Sequence, residues 1–246
     1  MHMFMKPSKD VIAPPPPGIW RFIISDKRCL SDDVVALYLK PACNTRLQYR
    51  AGQYVEFILP NMERRAFSIA NASGADGYIE FHIKLMPGGV FADYMSRVLV
   101  EGADVDVVGP LGEFYLREHN QRPIVMVGGG TGFSPLKAMI EHANNVGLNQ
   151  PVHLYIGGKT RNDLYMMNDI ASWKPKLEFT FTPVVSDPAE LEEWTGEVGF
   201  VHDAVLRHFE NLSGFDIYVC GPQAMIQSAV EDFLERGADK DCIYQA

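Results

Sequence analysis

The sequence predicts two domains in series: an antiparallel β-barrel, then an α/β domain built on a parallel sheet. Three observations lead there. Up to Val108, apolar residues come in short runs broken by Pro41, Gly52, Pro60, Gly74 and Gly77, the rhythm of short strands joined by tight turns. After Arg122-Pro123 the rhythm changes to apolar runs alternating with amphipathic stretches, which implies parallel strands joined by right-handed helical crossovers. A chain of 246 residues, 47% hydrophobic and 22% charged, also suffices for two cores of roughly 100 to 150 residues each.

In order along the chain, residues 1–18 carry Pro14-Pro15-Pro16-Pro17-Gly18, which favours an extended tail or linker over a packed element. Barrel strands are expected at 19–27, 34–40, 54–59, 66–70, 78–85 and 104–108, with one helix over 90–99 following Gly88-Gly89. In the second half, strands at 124–127, 152–156, 177–185 and 217–219 alternate with helices at 134–145, 163–172, 201–209 and 224–236. The boundary falls between Tyr115 and Pro123, giving a barrel domain over 19–119 and an α/β domain over 120–246.

With 22 Lys and Arg against 31 Asp and Glu, a net charge of −9, the surface field opposes nucleic-acid and anionic-membrane partners. The four cysteines, Cys29, Cys43, Cys220 and Cys242, form no C-x-x-C pair or other ligand spacing, so no metal or iron–sulfur site is expected. No apolar stretch is long enough for a membrane helix, and the N-terminus lacks a signal-peptide pattern. The expectation is a soluble cytoplasmic protein.

The strand at 124–127 runs into Gly128-Gly129-Gly130-Thr131-Gly132 and then a helix. Such a turn offers free backbone N–H groups to phosphate and lets a flat ring approach the backbone; tight strand-to-helix packing alone would also account for it. The dinucleotide fingerprint G-x-G-x-x-G fails, because Phe133 holds the third glycine position and no acid ends the next strand at Gly157-Gly158-Lys159. Gly158-Lys159-Thr160 imitates the end of a phosphate-binding loop, but His153 stands where the first glycine belongs.

Five motifs in order, Arg65-Ala66-Phe67-Ser68, Gly88-Gly89-Val90-Phe91, Gly109-Pro110-Leu111-Gly112, Gly129-Gly130-Thr131-Gly132 and Cys220-Gly221-Pro222, resemble the ferredoxin–NADP reductase superfamily. More narrowly, they are similar to oxygenase reductase components and NAD(P)H–flavin reductases, over roughly residues 19–244. The resemblance implies that Arg65 pairs with a flavin phosphate, that Phe67 beside Ala66 packs on the isoalloxazine, and that Ser68 hydrogen-bonds near N5. Those residue types suit the tasks: a planar charged fork for phosphate, a flat apolar face for the ring, and a hydroxyl that donates or accepts. It further implies that the backbone of His82-Ile83-Lys84 faces the flavin and that Gly88, Gly89, Val90 and Phe91 cradle its diphosphate. Gly129, Gly130, Thr131 and Gly132 would fix the nicotinamide, with Cys220, Gly221 and Pro222 closing the pocket.

On this reading Ser68 and Cys220 lie nearest the chemistry. Cys220 is a contact and not a nucleophile, since a thiol beside Val219 without a partner histidine stays protonated. His82 is expected as a half-buried strand histidine, not an acid or base. Ala92 replaces the Ser or Thr common in the family, which removes one phosphate hydrogen bond. Lys159 and Arg161 could meet a 2′-phosphate, whereas Asp187 stands where NADP-specific relatives often have arginine, which favours NADH over NADPH.

The implied cofactor is FAD, with FMN and riboflavin open, and the implied partner is a [2Fe–2S] ferredoxin protein or domain serving an oxygenase component. The alternatives are a reductase that releases reduced free flavin and a regulatory subunit without turnover.

Overall fold

Alternation of apolar and polar residues organises the first half of the chain, and its period of two matches the pleat of a strand. The computed structural model describes residues 16–43, 46–74, 77–86, 94–95, 98–173, 176–187 and 194–246. Six strands, β1 (Gly18–Cys29), β2 (Val34–Pro41), β3 (Tyr54–Ile58), β4 (Arg64–Ser68), β5 (Ile79–Lys84) and β6 (Asp104–Leu111), pair antiparallel in the order β4-β3-β6-β1-β2-β5. The sheet curls until its two edges meet: Ile69 bridges Phe81, and the Ala70 N–H donates to the Glu80 carbonyl at 2.8 Å. Phe22, Leu37, Leu39, Phe57, Ile79, Phe81 and Val107 point inward and are buried. Phe57 meets both Phe81 and Phe67 edge-on, with ring centroids 5.0 and 5.1 Å apart, an arrangement the aromatic quadrupole favours.

The strand expected at 66–70 starts and ends two residues earlier, at Arg64–Ser68. Ile69 leaves the β3 ladder to bridge β5, so the chain changes partners there. The helix expected at 90–99 falls mostly outside the described residues; Tyr94 and Met95 are helical, and Met95 and Leu99 are buried in the barrel core.

In the second half, β7 (Ile124–Gly129), β8 (Val152–Gly158), β9 (Phe179–Val185), β10 (Glu197–Val198), β11 (Asp216–Cys220) and β12 (Ile243–Gln245) form a parallel sheet in the order β10-β9-β8-β7-β11-β12. Helix α1 (Phe133–Val146) and the short α2 (Met167–Ser172) cover one face; α3 (Val201–His208) and α4 (Gln223–Glu235) cover the other. Every residue of β7 is buried, as expected for a parallel strand with helices on both sides.

Two expectations need correction. The helix read at 163–172 is a 3-10 turn at Arg161–Asp163 followed by α2 over only Met167–Ser172. Thr160 and Asp163 close a capping box on that turn, Leu164 leaves helical geometry, and the Tyr165 hydroxyl is drawn to His82, so tertiary contacts override the periodicity. The edge strands β10 and β12, of two and three residues, were not expected, being too short to show a period.

Candidate active site

The strand order reverses between β7 and β11, and an open α/β sheet leaves a crevice outside the carboxyl ends of its strands at such a switch point. Gly129 ends β7 and Cys220 ends β11. Two cavities open there. One, of about 420 Å³, lies between the domains, with Ala66, Phe67, Ser68, His82 and Lys84 on the barrel side and Gly129, Gly130, Thr131, Gly132, Ser134, Cys220, Gly221 and Pro222 on the sheet side. The other, of about 480 Å³, runs along the strand ends past Gly157, Gly158, Lys159, Ser186, Phe200, His202 and Met225. Lys84, Gly129, Gly130 and Pro222 line both, so the two adjoin.

The sheet side is shaped by absent side chains. A Cβ on Gly130 would meet nothing within 4 Å and would stand in the cavity itself. At Gly221, with φ of +155°, a Cβ would lie 2.8 Å from Met225 Cε and 3.1 Å from the Gly129 backbone. Just past the glycine turn, Ser134 Oγ is buried near the Tyr165 hydroxyl but completes no hydrogen bond of good geometry. A side-chain-free cradle with an orphaned hydroxyl, opposite a wall carrying an aromatic and a second hydroxyl, fits a flat heterocycle bound against another one.

Not every expected residue lines this space. Arg65 is exposed, with Nη2 donating to Glu63 Oε2 at 2.8 Å. Ile83 points into the barrel core. Gly88, Gly89, Val90, Phe91 and Ala92 lie outside the described residues. His82, expected half-buried, has a side chain with no exposure at all: its Nε2 meets Glu80 Oε1 at 2.8 Å and its Nδ1 meets the Tyr165 hydroxyl at 3.0 Å.

Burial sets the charge states. Desolvation lowers the His82 pKa more than Glu80 raises it, so the ring is neutral. Desolvation also acts to raise Glu80, but the His82 hydrogen bond and the Lys137 charge outweigh it and hold the carboxylate ionised. His82 therefore carries its proton on Nε2, toward Glu80, and accepts from Tyr165 on Nδ1. The Cys220 thiol is pushed up to about 12 by burial and stays neutral. At the rim of the second cavity Lys159 pairs with Asp187 at 3.6 Å.

Sequence reading named Lys159 for this second cavity but missed Phe200, His202 and Met225 on it, and it missed the buried charges behind the first. Ser134 follows the glycine turn after one residue, and Glu80 and Lys137 each interrupt an apolar run; a charge inside a buried run is the signal that marks the last two.

Two family models match the chain: the oxidoreductase FAD-binding domain over residues 21–115 and the oxidoreductase NAD-binding domain over residues 126–231. A CDP-6-deoxy-L-threo-D-glycero-4-hexulose-3-dehydrase reductase of Yersinia pestis is 39% identical over 85% of this chain and 62% of its own length. The reductase component of propane 2-monooxygenase from Rhodococcus jostii is 33% identical over 87% of this chain and 60% of its own. The chain thus spans about three fifths of the length of these relatives. Among solved structures, an Amycolatopsis cytochrome P450 reductase superposes with a TM-score of 0.83 at 31% identity, covering 97% of this chain and 72% of that one. A ferredoxin reductase of carbazole 1,9a-dioxygenase also gives 0.83, at 27% identity, covering 94% and 69%.

Proposed function

The chain belongs to the ferredoxin–NADP reductase superfamily, with paired FAD- and NAD-binding oxidoreductase domains, and from that premise we propose that it is the flavin and nicotinamide unit of an electron-transfer reductase. It takes two electrons from NADH onto FAD and passes them singly to a [2Fe–2S] acceptor of an oxygenase-type system. The observation that carries this reading is that the two cavities adjoin at Gly129, Gly130 and Pro222, so that a dinucleotide lying along the strand ends would bring its reactive ring to the space between the domains.

Bound FAD would supply the chemistry of accepting two electrons together and releasing them one at a time. The protein's own part is positioning. Phe67, braced edge-on by Phe57, offers a flat apolar face. Ser68 contributes a hydroxyl that donates or accepts as a ring nitrogen changes protonation. Gly129 to Gly132 give a nicotinamide ring close approach, and neutral Cys220 with Pro222 helps exclude water. Arg65 would leave Glu63 for a flavin phosphate.

Relatives named as reductase components of oxygenases support the acceptor. The Lys159–Asp187 pair supports NADH, because Asp187 neutralises a cation that would otherwise attract a 2′-phosphate. Cys29, Cys43, Cys220 and Cys242 form no disulfide, which suits a reducing compartment such as the cytoplasm. No helix among the described residues is long and apolar enough to cross a membrane.

The pairing of Arg65 with Glu63 away from the cavity favours a second reading, in which flavin is held weakly and leaves as a reduced product. Purifying the protein without added flavin, denaturing it and counting the released flavin by chromatography separates the two. Near-stoichiometric FAD is the expected result. A colourless protein that oxidises NADH only when riboflavin or FMN is supplied would replace the first reading with the second.

A further inference from the structure

Behind the cleft, a buried chain of polar side chains crosses from one domain to the other, and the proposed reaction makes no direct use of it. Lys137 lies on α1, five residues beyond Gly132. Its Nζ donates to the Ala70 carbonyl at 3.1 Å, to Glu80 Oε2 at 2.8 Å and to Glu141 Oε1 at 2.6 Å, which uses all three donors of the ammonium. Glu141 Oε2 accepts the Ala72 N–H at 2.9 Å, and Glu80 leads on through His82 to Tyr165. Ala70, Ala72, Glu80 and His82 belong to the barrel; Lys137, Glu141 and Tyr165 belong to the α/β domain. The Lys137 and Glu80 side chains are only 8% and 7% exposed.

A purely apolar interface would join the domains without the desolvation cost of buried ions, but it could slide. This network is directional. Ala70 stands two residues after Ser68 on the barrel wall, and α1 is the rigid continuation of the glycine turn. The ammonium therefore fixes the exit of β4 against the first turn of α1, and displacing either breaks several hydrogen bonds together.

We propose that Lys137 is a positioning residue that sets the spacing and register between the Phe67-Ser68 wall and the Gly130–Gly132 turn. What is positioned, a flavin against a nicotinamide, rests on the function proposed above; the mechanical coupling of the two walls does not.

Lys137→Met in the full chain tests both parts. In flavin-free protein, hydrogen–deuterium exchange is expected to rise together at residues 69–72 and at residues 130–137, with β1 and β8 unchanged. In flavin-loaded protein, the rate of flavin reduction at saturating NADH is expected to fall roughly ten- to a hundredfold. The KM for NADH and the flavin content should hold within about twofold, and the nicotinamide–flavin charge-transfer band should weaken. Glu141→Gln, which keeps the shape and removes one charge, should move each readout the same way by less, and it carries the test if Lys137→Met does not fold. Exchange rising on one wall only, an unchanged reduction rate in a folded variant, or a rate loss that simply follows flavin loss would each overturn the proposal. If the unaltered protein does not reduce bound flavin with NADH, the functional reading falls, and the exchange result still decides the coupling.

Discussion

The two walls of the cleft are built from different materials. The barrel wall presents side chains, Phe67, Ser68 and Lys84, on strands held by an alternating core. The sheet wall presents backbone, Gly129 to Gly132 and Gly221, at the ends of two fully buried strands. A wall of side chains can lose one chemical function while keeping its shape. A wall of backbone has only its shape to lose, so substitutions there should be the more severe.

Gly221→Val is expected to have the largest effect. Its Cβ would press on Met225 and on the Gly129 backbone in a conformation that L-residues rarely adopt, closing the sheet side. Reduction of bound flavin by NADH should fall by about a hundredfold or more, with flavin content retained because the barrel wall is untouched. Loss of flavin instead would dissolve the division between the walls. Ser68→Ala comes next: removing one hydrogen-bonding hydroxyl should slow flavin reduction by about tenfold, as read by anaerobic stopped-flow absorbance. Asp187→Ala, which frees Lys159, should narrow the preference for NADH over NADPH severalfold in paired kcat/KM measurements.

Cys220→Ser should matter least to turnover, within about threefold, because a neutral contact is replaced by a neutral near-isostere. Burial raises the thiol from an ordinary 9.0 to about 12, so between those values the folded state keeps a proton that the unfolded state has lost. The resulting stability is fully present below pH 9.0 and is lost as pH rises toward about 12. Urea denaturation across that alkaline range should show a fall in stability that is shallower in Cys220→Ser. Near neutrality, alkylating reagents should label exposed Cys29 and Cys43 and spare Cys220.

The walls also differed in how far the sequence revealed them. Gly128 to Gly132 were legible because glycines between a strand and a helix constrain the backbone locally, whereas Cys220-Gly221-Pro222 was read as part of an ordered set of motifs; the structure brings both runs to one switch point. Phe67 and Ser68 were legible only as members of an ordered set of motifs. Lys137, Glu80, Glu141 and Tyr165 were invisible as a group: the contacts that carry it from one domain to the other join residues 57 or more apart in sequence, and no local rule pairs a lysine in one domain with a glutamate in another. The same cause shortened the helix expected at 163–172, where Tyr165 turns toward His82. The strands were read well because their signal, alternation in the barrel and continuous burial in the sheet, is local.

On the proposed function, the two walls hold flavin and nicotinamide against each other in one cleft. Anaerobic titration of the flavin-loaded protein with NADH tests it most directly, with flavin absorbance and the long-wavelength charge-transfer band followed together. Stoichiometric bleaching of bound flavin with a transient charge-transfer band is expected, both lost in Gly221→Val while its flavin remains bound. Bleaching that proceeds equally well in Gly221→Val, or a bound flavin that NADH does not reduce, would contradict it.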